Sequence, residues 1–262
     1  MRFVTITTDF GMPSGSMKGV IWGISPGSQI TDISWSIRPQ NVYEAAMILD
    51  RQVYYFPKET VHVIVVDPGV GTHRRPIAAR IGDYFYVAPD NGVLTPMLER
   101  AEREEKTVKI VHTDNPKYWL PEVSNIFHGR DIFAPVGGHI ASGVKLDKLG
   151  PVITDAVRLD LPRPEAFDGG MTGQISDIYE HFGNIITNIH KSDMEHLGDV
   201  DVTLCGTTIE GMVRTFGERP EGSLVALFDE CGYLYVAVTN GNAAKRLGAS
   251  QGDKVVIKSR KG

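Results

Sequence analysis

The chain has 262 residues, 42% of them hydrophobic and 23% charged, with a formal net charge of −5 and a pI near 5.9, so a sizeable core can be buried in one large domain or two. Nucleic acid is not an expected partner, since that needs a dense basic patch and the short basic clusters are Arg74-Arg75 and Lys258-Ser259-Arg260-Lys261, the second read as a solvated tail. Cys205 and Cys231 lack C-x-x-C spacing and argue against a disulfide framework or a cysteine-rich zinc site. No apolar stretch reaches bilayer length, and the opening Met1-Arg2-Phe3-Val4-Thr5-Ile6 has no apolar signal-peptide core behind it, so no membrane partner and a cytoplasmic location are expected.

In chain order, Phe3 to Thr7 reads as a short strand that ends at Thr8-Asp9-Phe10-Gly11. Ser16 to Ile24 suits a helix or turn closed by Ser25-Pro26-Gly27, and a second strand falls at Gln29 to Ser34, within Ser28 to Arg38. Asn41 to Tyr54 carries apolar residues at helical spacing: Val42, Ala45, Ala46, Leu49 and Val53. Val61 to Val66 is a run of β-branched residues broken only by His62, the mark of a strand buried on both faces. Ile77 to Ala88 adds strand, Asn91 to Arg103 reads as a helix, and Gly129 to Gly143 as another. Strands interleaved with helices predict an α/β domain with a mostly parallel sheet and flanking helices over residues 1–162.

Two prolines and two glycines in Leu161-Pro162-Arg163-Pro164-Glu165-Ala166-Phe167-Asp168-Gly169-Gly170 read as a linker. Beyond it come short strands with turn signals: Met171–Tyr179, Ile185–Ile189, Val200–Leu204, Leu224–Phe228, Tyr233–Val238 and Lys254–Ile257. They predict a smaller β-barrel or sandwich over residues 169–262.

Four segments put polar or glycine residues where a strand hands over to a loop, the place where open α/β sheets bind ligands. They are Thr8-Asp9-Phe10-Gly11, Val65 to Arg75, Ala88-Pro89-Asp90-Asn91-Gly92 and Phe127-His128-Gly129-Arg130-Asp131. Each also has an ordinary structural reading. Asp9 can cap a helix or make an Asx-turn, Asp90-Asn91-Gly92 has turn composition, and His128 can cap the helix that follows it. Gly69-x-Gly71 lacks the Lys-Ser/Thr of a phosphate loop. His73, His128, Asp9 and Asp67 could supply metal ligands, but no H-x-x-x-H or H-E-x-x-H spacing exists, so no metal is expected. A G-x-S-x-G nucleophile elbow is also absent.

Taken together, the segments are more specific than any one of them. Thr8-Asp9-Phe10-Gly11, Met17-Lys18-Gly19-Val20-Ile21, Phe56-Pro57, Val66-Asp67-Pro68-Gly69-Val70-Gly71-Thr72 with Arg74-Arg75, Ala88 to Gly92, Phe127 to Asp131, Phe182-Gly183-Asn184 with Thr187-Asn188-Ile189, and Gly241-Asn242-Ala243-Ala244 follow in order along nearly the whole chain. This set resembles the S-adenosylmethionine hydroxide adenosyltransferase family, relatives of the fluorinase and chlorinase enzymes. The resemblance implies hydrolysis of S-adenosylmethionine to adenosine and L-methionine by water attack at C5′ of the ribose. It implies no metal or organic cofactor, and a homotrimer with each site between the first domain of one subunit and the second domain of the next.

By motif position, the catalytic residues implied are Asp67, Arg74 and His128. The implied substrate contacts are Asp9 to the ribose hydroxyls, Asn184 and the backbone near Val238 to adenine, and Asp67, Glu180, Phe182, Glu230 and Tyr235 elsewhere in the pocket. The chain departs from the family pattern at several points. The segment Gly11 to Ser16 is short and carries no acid, Glu180 stands where Asp is usual, Glu230 where Ser is usual, Tyr235 where Glu is usual, and Thr239 where Asn is usual.

Overall fold

The computed structural model describes residues 2–260; Met1, Lys261 and Gly262, and with them the last lysine of the basic tail, lie outside the described residues. The chain forms two compact units, one through Leu159 and one from Asp160.

In the first unit, β1 (Phe3–Thr8), α1 (Gly15–Ile24), β2 (Gln29–Ser34), α2 (Val42–Gln52), β3 (Val61–Val65), β4 (Pro76–Ile81), β5 (Tyr84–Pro89), α3 (Thr95–Arg103), β6 (Val108–His112), α4 (Ala134–Ala141) and β7 (Val152–Ile153) build one sheet and its covering helices. The strand order is β2-β1-β3-β5-β4-β6-β7. The first four strands are parallel, and β4, β6 and β7 extend the sheet with antiparallel pairings. Every residue of β3 is buried, because helices cover both faces. Val61, Val63 and Val65 pack into the core beneath α1 and α4. Ile64 and Val66 pack into the opposite core with α2 and α3. This two-residue alternation carries the chain out of the sheet at Asp67.

Three elements differ from the sequence reading. Ile77 to Ala88 is not one strand but parts of a β4–β5 hairpin that turns at Gly82-Asp83. The helix expected from Asn91 starts at Thr95, because Asn91 Oδ1 accepts the Val93 N–H and holds residues 91–94 as a turn. The helix expected from Gly129 begins as a π-turn, Gly129–Phe133, and becomes α-helical only at Ala134.

His62 on β3 is fully buried among the rings of Phe56, Tyr84 and Tyr86, with Nδ1 2.8 Å from Thr5 Oγ1. Burial lowers its pKa to about 3. A histidine with a depressed folded-state pKa takes up its proton in the unfolded chain first, so stability is lost as pH falls below the unfolded value of 6.5. Between pH 6.5 and 4 wild type should lose about 3 kcal/mol more than His62→Gln. Urea unfolding at several pH values checks this, and parallel curves for the two proteins would refute it.

The second unit contains β8 (Glu165–Phe167), β9 (Gly170–Tyr179), β10 (Asn184–His190), α5 (Lys191–Met194), β11 (Val200–Leu204), β12 (Thr207–Ile209), β13 (Leu224–Phe228), β14 (Tyr233–Val238), α6 (Ala243–Leu247) and β15 (Lys254–Ser259). All its pairings are antiparallel, in the order β12-β11-β15-β9-β10-β14-β13, with β8 on β9. The long β9 bends, pairing with β15 through its first half and β10 through its second. The sheet curls into a nearly closed barrel around a core that includes Ile175, Ile185, Val202, Val236 and Ile257. Past β12, the Val213 N–H donates to Ala226 O of β13. The end of the stretch read as linker is a hairpin, with strand at Glu165–Phe167 and from Gly170, and Asp168-Gly169 as the turn between β8 and β9. In the basic tail Arg260 is ion-paired, its Nε lying 2.9 Å from Asp201. Among the described residues no helix is long and apolar enough to cross a membrane.

Candidate active site

Parallel pairing sets Thr8 of β1 opposite Val65 of β3, so Asp9 and Asp67 leave the sheet at neighbouring carboxyl ends of strands. Asp67 opens a tight turn, in which the Val70 N–H donates to Asp67 O and the Thr72 N–H to Gly69 O. Gly71 in this turn has φ +76°, and a Cβ there would come within 2.5 Å of Asn125 O. Glycine therefore meets both the backbone and the packing demand. The turn brings Arg74 back onto Asp67. Arg74 Nε donates to Asp67 Oδ1 at 3.0 Å, and Nη2 donates to Oδ2. Arg74 Nη2 also lies 3.1 Å from His128 Nδ1.

His128 reaches this point because Gly129 packs close to the end of β3. A Cβ on Gly129 would lie 3.2 Å from Val65 Cγ1 and 3.3 Å from Phe10 Cζ. Phe127 stacks 5.9 Å from Phe10, and the guanidinium carbon of Arg74 lies 5.1 Å from the centre of the Phe133 ring. The Arg74 and Asp67 side chains are 7% and 5% exposed. Arg74 Nη1 is buried with no protein acceptor, a donor left for something the protein does not itself supply.

Burial, and then the neighbouring positive charge of Arg74, lower the His128 pKa, against the opposing pull of Asp67 and Asp131. The ring is therefore neutral at neutral pH. A guanidinium only donates, so Nδ1 accepts from Arg74 and the ring proton is on Nε2. His128 thus presents an N–H donor outward. It makes no side-chain cap to the following helix, which removes the capping reading.

Asp9 accepts the Gln40 N–H at 2.7 Å. Asp90 and Asn91 serve the fold. Asp90 takes Arg75 Nε and Nη2 at 2.8 and 2.6 Å on Oδ2 and the Val157 N–H at 2.8 Å on Oδ1. Asn91 Nδ2 donates to Val66 O at 2.9 Å, which pins the peptide just before Asp67. The sequence offered no signal for that support, because turn composition says nothing about which carbonyl the amide will meet. His73 is exposed and outside the network. Among the described residues no three His, Cys, Asp or Glu side chains cluster as a metal site would require.

In the second unit, Asn184 begins β10 opposite Tyr179. The Tyr235 side chain is hydrogen-bonded to it, while burial raises the Tyr235 pKa. Tyr235 also meets Phe216 edge-on, with ring centres 6.3 Å apart. Val238 is 8% exposed and bridges to Gly241. Glu180, Phe182 and Glu230 are all exposed, with Phe182 packed edge-on to His181. The structure thus brings together Asp67, Arg74 and His128 within one unit, and Asn184 with Tyr235 within the other.

A family model described as the SAM hydroxide adenosyltransferase N-terminal domain matches residues 4–150, and one described as its C-terminal domain matches residues 173–256. An (R)-S-adenosyl-L-methionine hydrolase of Salinispora tropica is 36% identical over 97% of both chains. A fluorinase of an Actinoplanes species is 29% identical over 89% of this chain and 90% of its own. The crystal structure of an uncharacterized conserved protein from Thermotoga maritima superposes with a TM-score of 0.88 at 33% identity, covering 97% of this chain and 99% of the other.

Proposed function

The chain belongs to the SAM hydroxide adenosyltransferase family, and from that membership we propose that it hydrolyses S-adenosylmethionine to adenosine and L-methionine, with Asp67, Arg74 and His128 as the catalytic residues. The observation that carries this reading is the hydrogen-bonded Asp67–Arg74–His128 network at the carboxyl end of the sheet, in which the Asp67 and Arg74 side chains are buried. The sulfonium makes methionine a neutral leaving group, so no acid has to protonate it. What the reaction needs is a water oxygen held in line with the C5′–S bond. The unsatisfied Nη1 of Arg74 and the Nε2–H of His128 are the donors that steady it, and a lone pair of the Asp67 carboxylate accepts one of its hydrogens. As the C–O bond forms, the C5′–S pair goes to sulfur and the proton leaves through Asp67 to solvent.

Halide use is the competing reading. Asp67 opposes it, because its carboxylate already neutralises the cation that would attract a halide. A protein that binds adenosine without turnover is the other alternative, and it would release no methionine. Purified protein given S-adenosylmethionine should produce adenosine and methionine in equal amounts, unaffected by chelator. Chromatography of the mixture decides this; a 5′-chloro nucleoside formed in chloride buffer would overturn the water mechanism.

In this reading Asp9 holds the ribose hydroxyls, and Asn184 and the Val238 backbone read adenine. Glu180, Phe182, Glu230 and Tyr235 shape the rest of the pocket. The catalytic domain is the first unit, expected over residues 1–162, and the base-binding domain is the second, which takes in strand β8 ahead of the expected start at residue 169. The assembly is a homotrimer that completes each site between subunits, and it works in the cytoplasm. Mixing inactive Asp67→Ala with inactive Asn184→Ala under subunit exchange should then restore activity. A monomer by light scattering would exclude that assembly.

A further inference from the structure

The proposed chemistry leaves one buried charge beside the network unused. Asp131 is wholly buried on the π-turn that follows His128. Its Oδ2 accepts the Ser124 N–H at 2.8 Å, and its Oδ1 accepts Arg130 Nε at 2.6 Å. Its main-chain carbonyl accepts the Leu120 N–H at 2.9 Å. One residue therefore ties the loop between Leu120 and Phe127 to the turn at two points.

That loop also touches the other limb of the network. Asn125, next to Ser124, presents its carbonyl to Gly71 so closely that a Cβ on Gly71 would lie 2.5 Å away. Gly71 is in the turn that returns Arg74 to Asp67. Asp131 thus meets the Asp67–Arg74 limb through Ser124 and Asn125, and the His128 limb through the π-turn, a backbone form frequent at functional sites.

Burial works against ionisation of Asp131, but the bond from Arg130 and then the Ser124 N–H hold its carboxyl below the usual range. Its charge is therefore present at neutral pH. The groups facing the His128 ring are Arg74, Asp67 and Asp131, with Arg130 bound to the last of these.

We propose that Asp131 is a positioning residue that holds His128 and the Asp67–Arg74 turn in register through the Ser124–Asn125 segment. The proposal rests on the assignment of Asp67, Arg74 and His128 to catalysis. Asp131→Ala removes both the acceptor and the charge, whereas Asp131→Asn keeps an acceptor for Ser124. The alanine variant should lose about 10²-fold in kcat per folded molecule, the usual effect of misplacing a reacting group, with adenosine Kd nearly unchanged. The asparagine variant should recover most of that loss. Its His128 pKa, followed by NMR of the ring, should fall below the wild-type value because a negative neighbour is gone.

His128→Ala measured in parallel keeps the two ideas apart. Full turnover in His128→Ala would defeat the catalytic assignment. Loss of turnover there, with wild-type kcat in Asp131→Ala, would defeat the positioning role alone. If Asp131→Ala does not fold, Asp131→Asn decides by itself, and an unchanged His128 pKa in it overturns the proposal.

Discussion

Arg74→Ala should lose both folding stability and nearly all turnover, while Arg74→Lys should recover much of the first and little of the second. With its partner removed, the Asp67 carboxylate stays buried without its counter-ion, since the two side chains are 7% and 5% exposed. Breaking such a pair costs about 3–5 kcal/mol. The guanidinium also makes three bonds at once, two to Asp67 and one to His128 Nδ1, and keeps Nη1 for a further acceptor. Lysine restores the charge as a single point and cannot reproduce the fork. Loss of a preorganised donor aimed at the reacting oxygen lowers kcat by about 10²–10³-fold, so Arg74→Lys should fall at least that far. Urea denaturation and single-turnover rates on the same preparations separate the two losses. Arg74→Lys turning over like wild type would remove the arginine from the mechanism.

His128→Ala should lower kcat by about 10²–10³-fold, the range for one preorganised donor aimed at the reacting oxygen, and leave adenosine affinity nearly unchanged. A role confined to capping would instead lower activity only as far as the protein unfolds, but the His128 side chain caps nothing, and its removal should cost no more stability than the one hydrogen bond from Arg74, about 1 kcal/mol. A loss restricted to turnover marks an interaction made mainly in the transition state.

The pH dependence follows from the same geometry. Only neutral His128 can accept from Arg74, and burial with the arginine charge lowers its pKa. The neutral form therefore survives as pH falls below the value of about 6.5 at which a free histidine protonates. The acid limb of kcat should accordingly lie below that value, and a limb at or above it would contradict the assignment of Nδ1 as acceptor.

Much of the fold was legible because it depends on local pattern. The β-branched run at Val61–Val65 belongs to a strand covered on both sides, and the helical spacing from Val42 marks α2. Short alternating segments mark the barrel strands, such as Val200–Leu204 with its buried and half-buried residues alternating. The polar residues at the strand ends, Asp9 and Asp67, were legible for the same reason.

The sequence alone determined which residue types stand at strand ends and in what order, since hydrophobic periodicity and turn chemistry act over a few neighbours. It also carried the family resemblance, which is a matter of ordered motifs. Only the tertiary structure decided that Arg74 folds back on Asp67, that His128 arrives from a segment 54 positions away from Arg74, and that Asn91 pins Val66 O. The antiparallel extension through β6 and the β8–β9 hairpin inside the expected linker were likewise settled by long-range pairing. The tautomer of His128 belongs with these. Which ring nitrogen carries the proton depends on which donor the fold sets beside it, and no local pattern of residues records that neighbour.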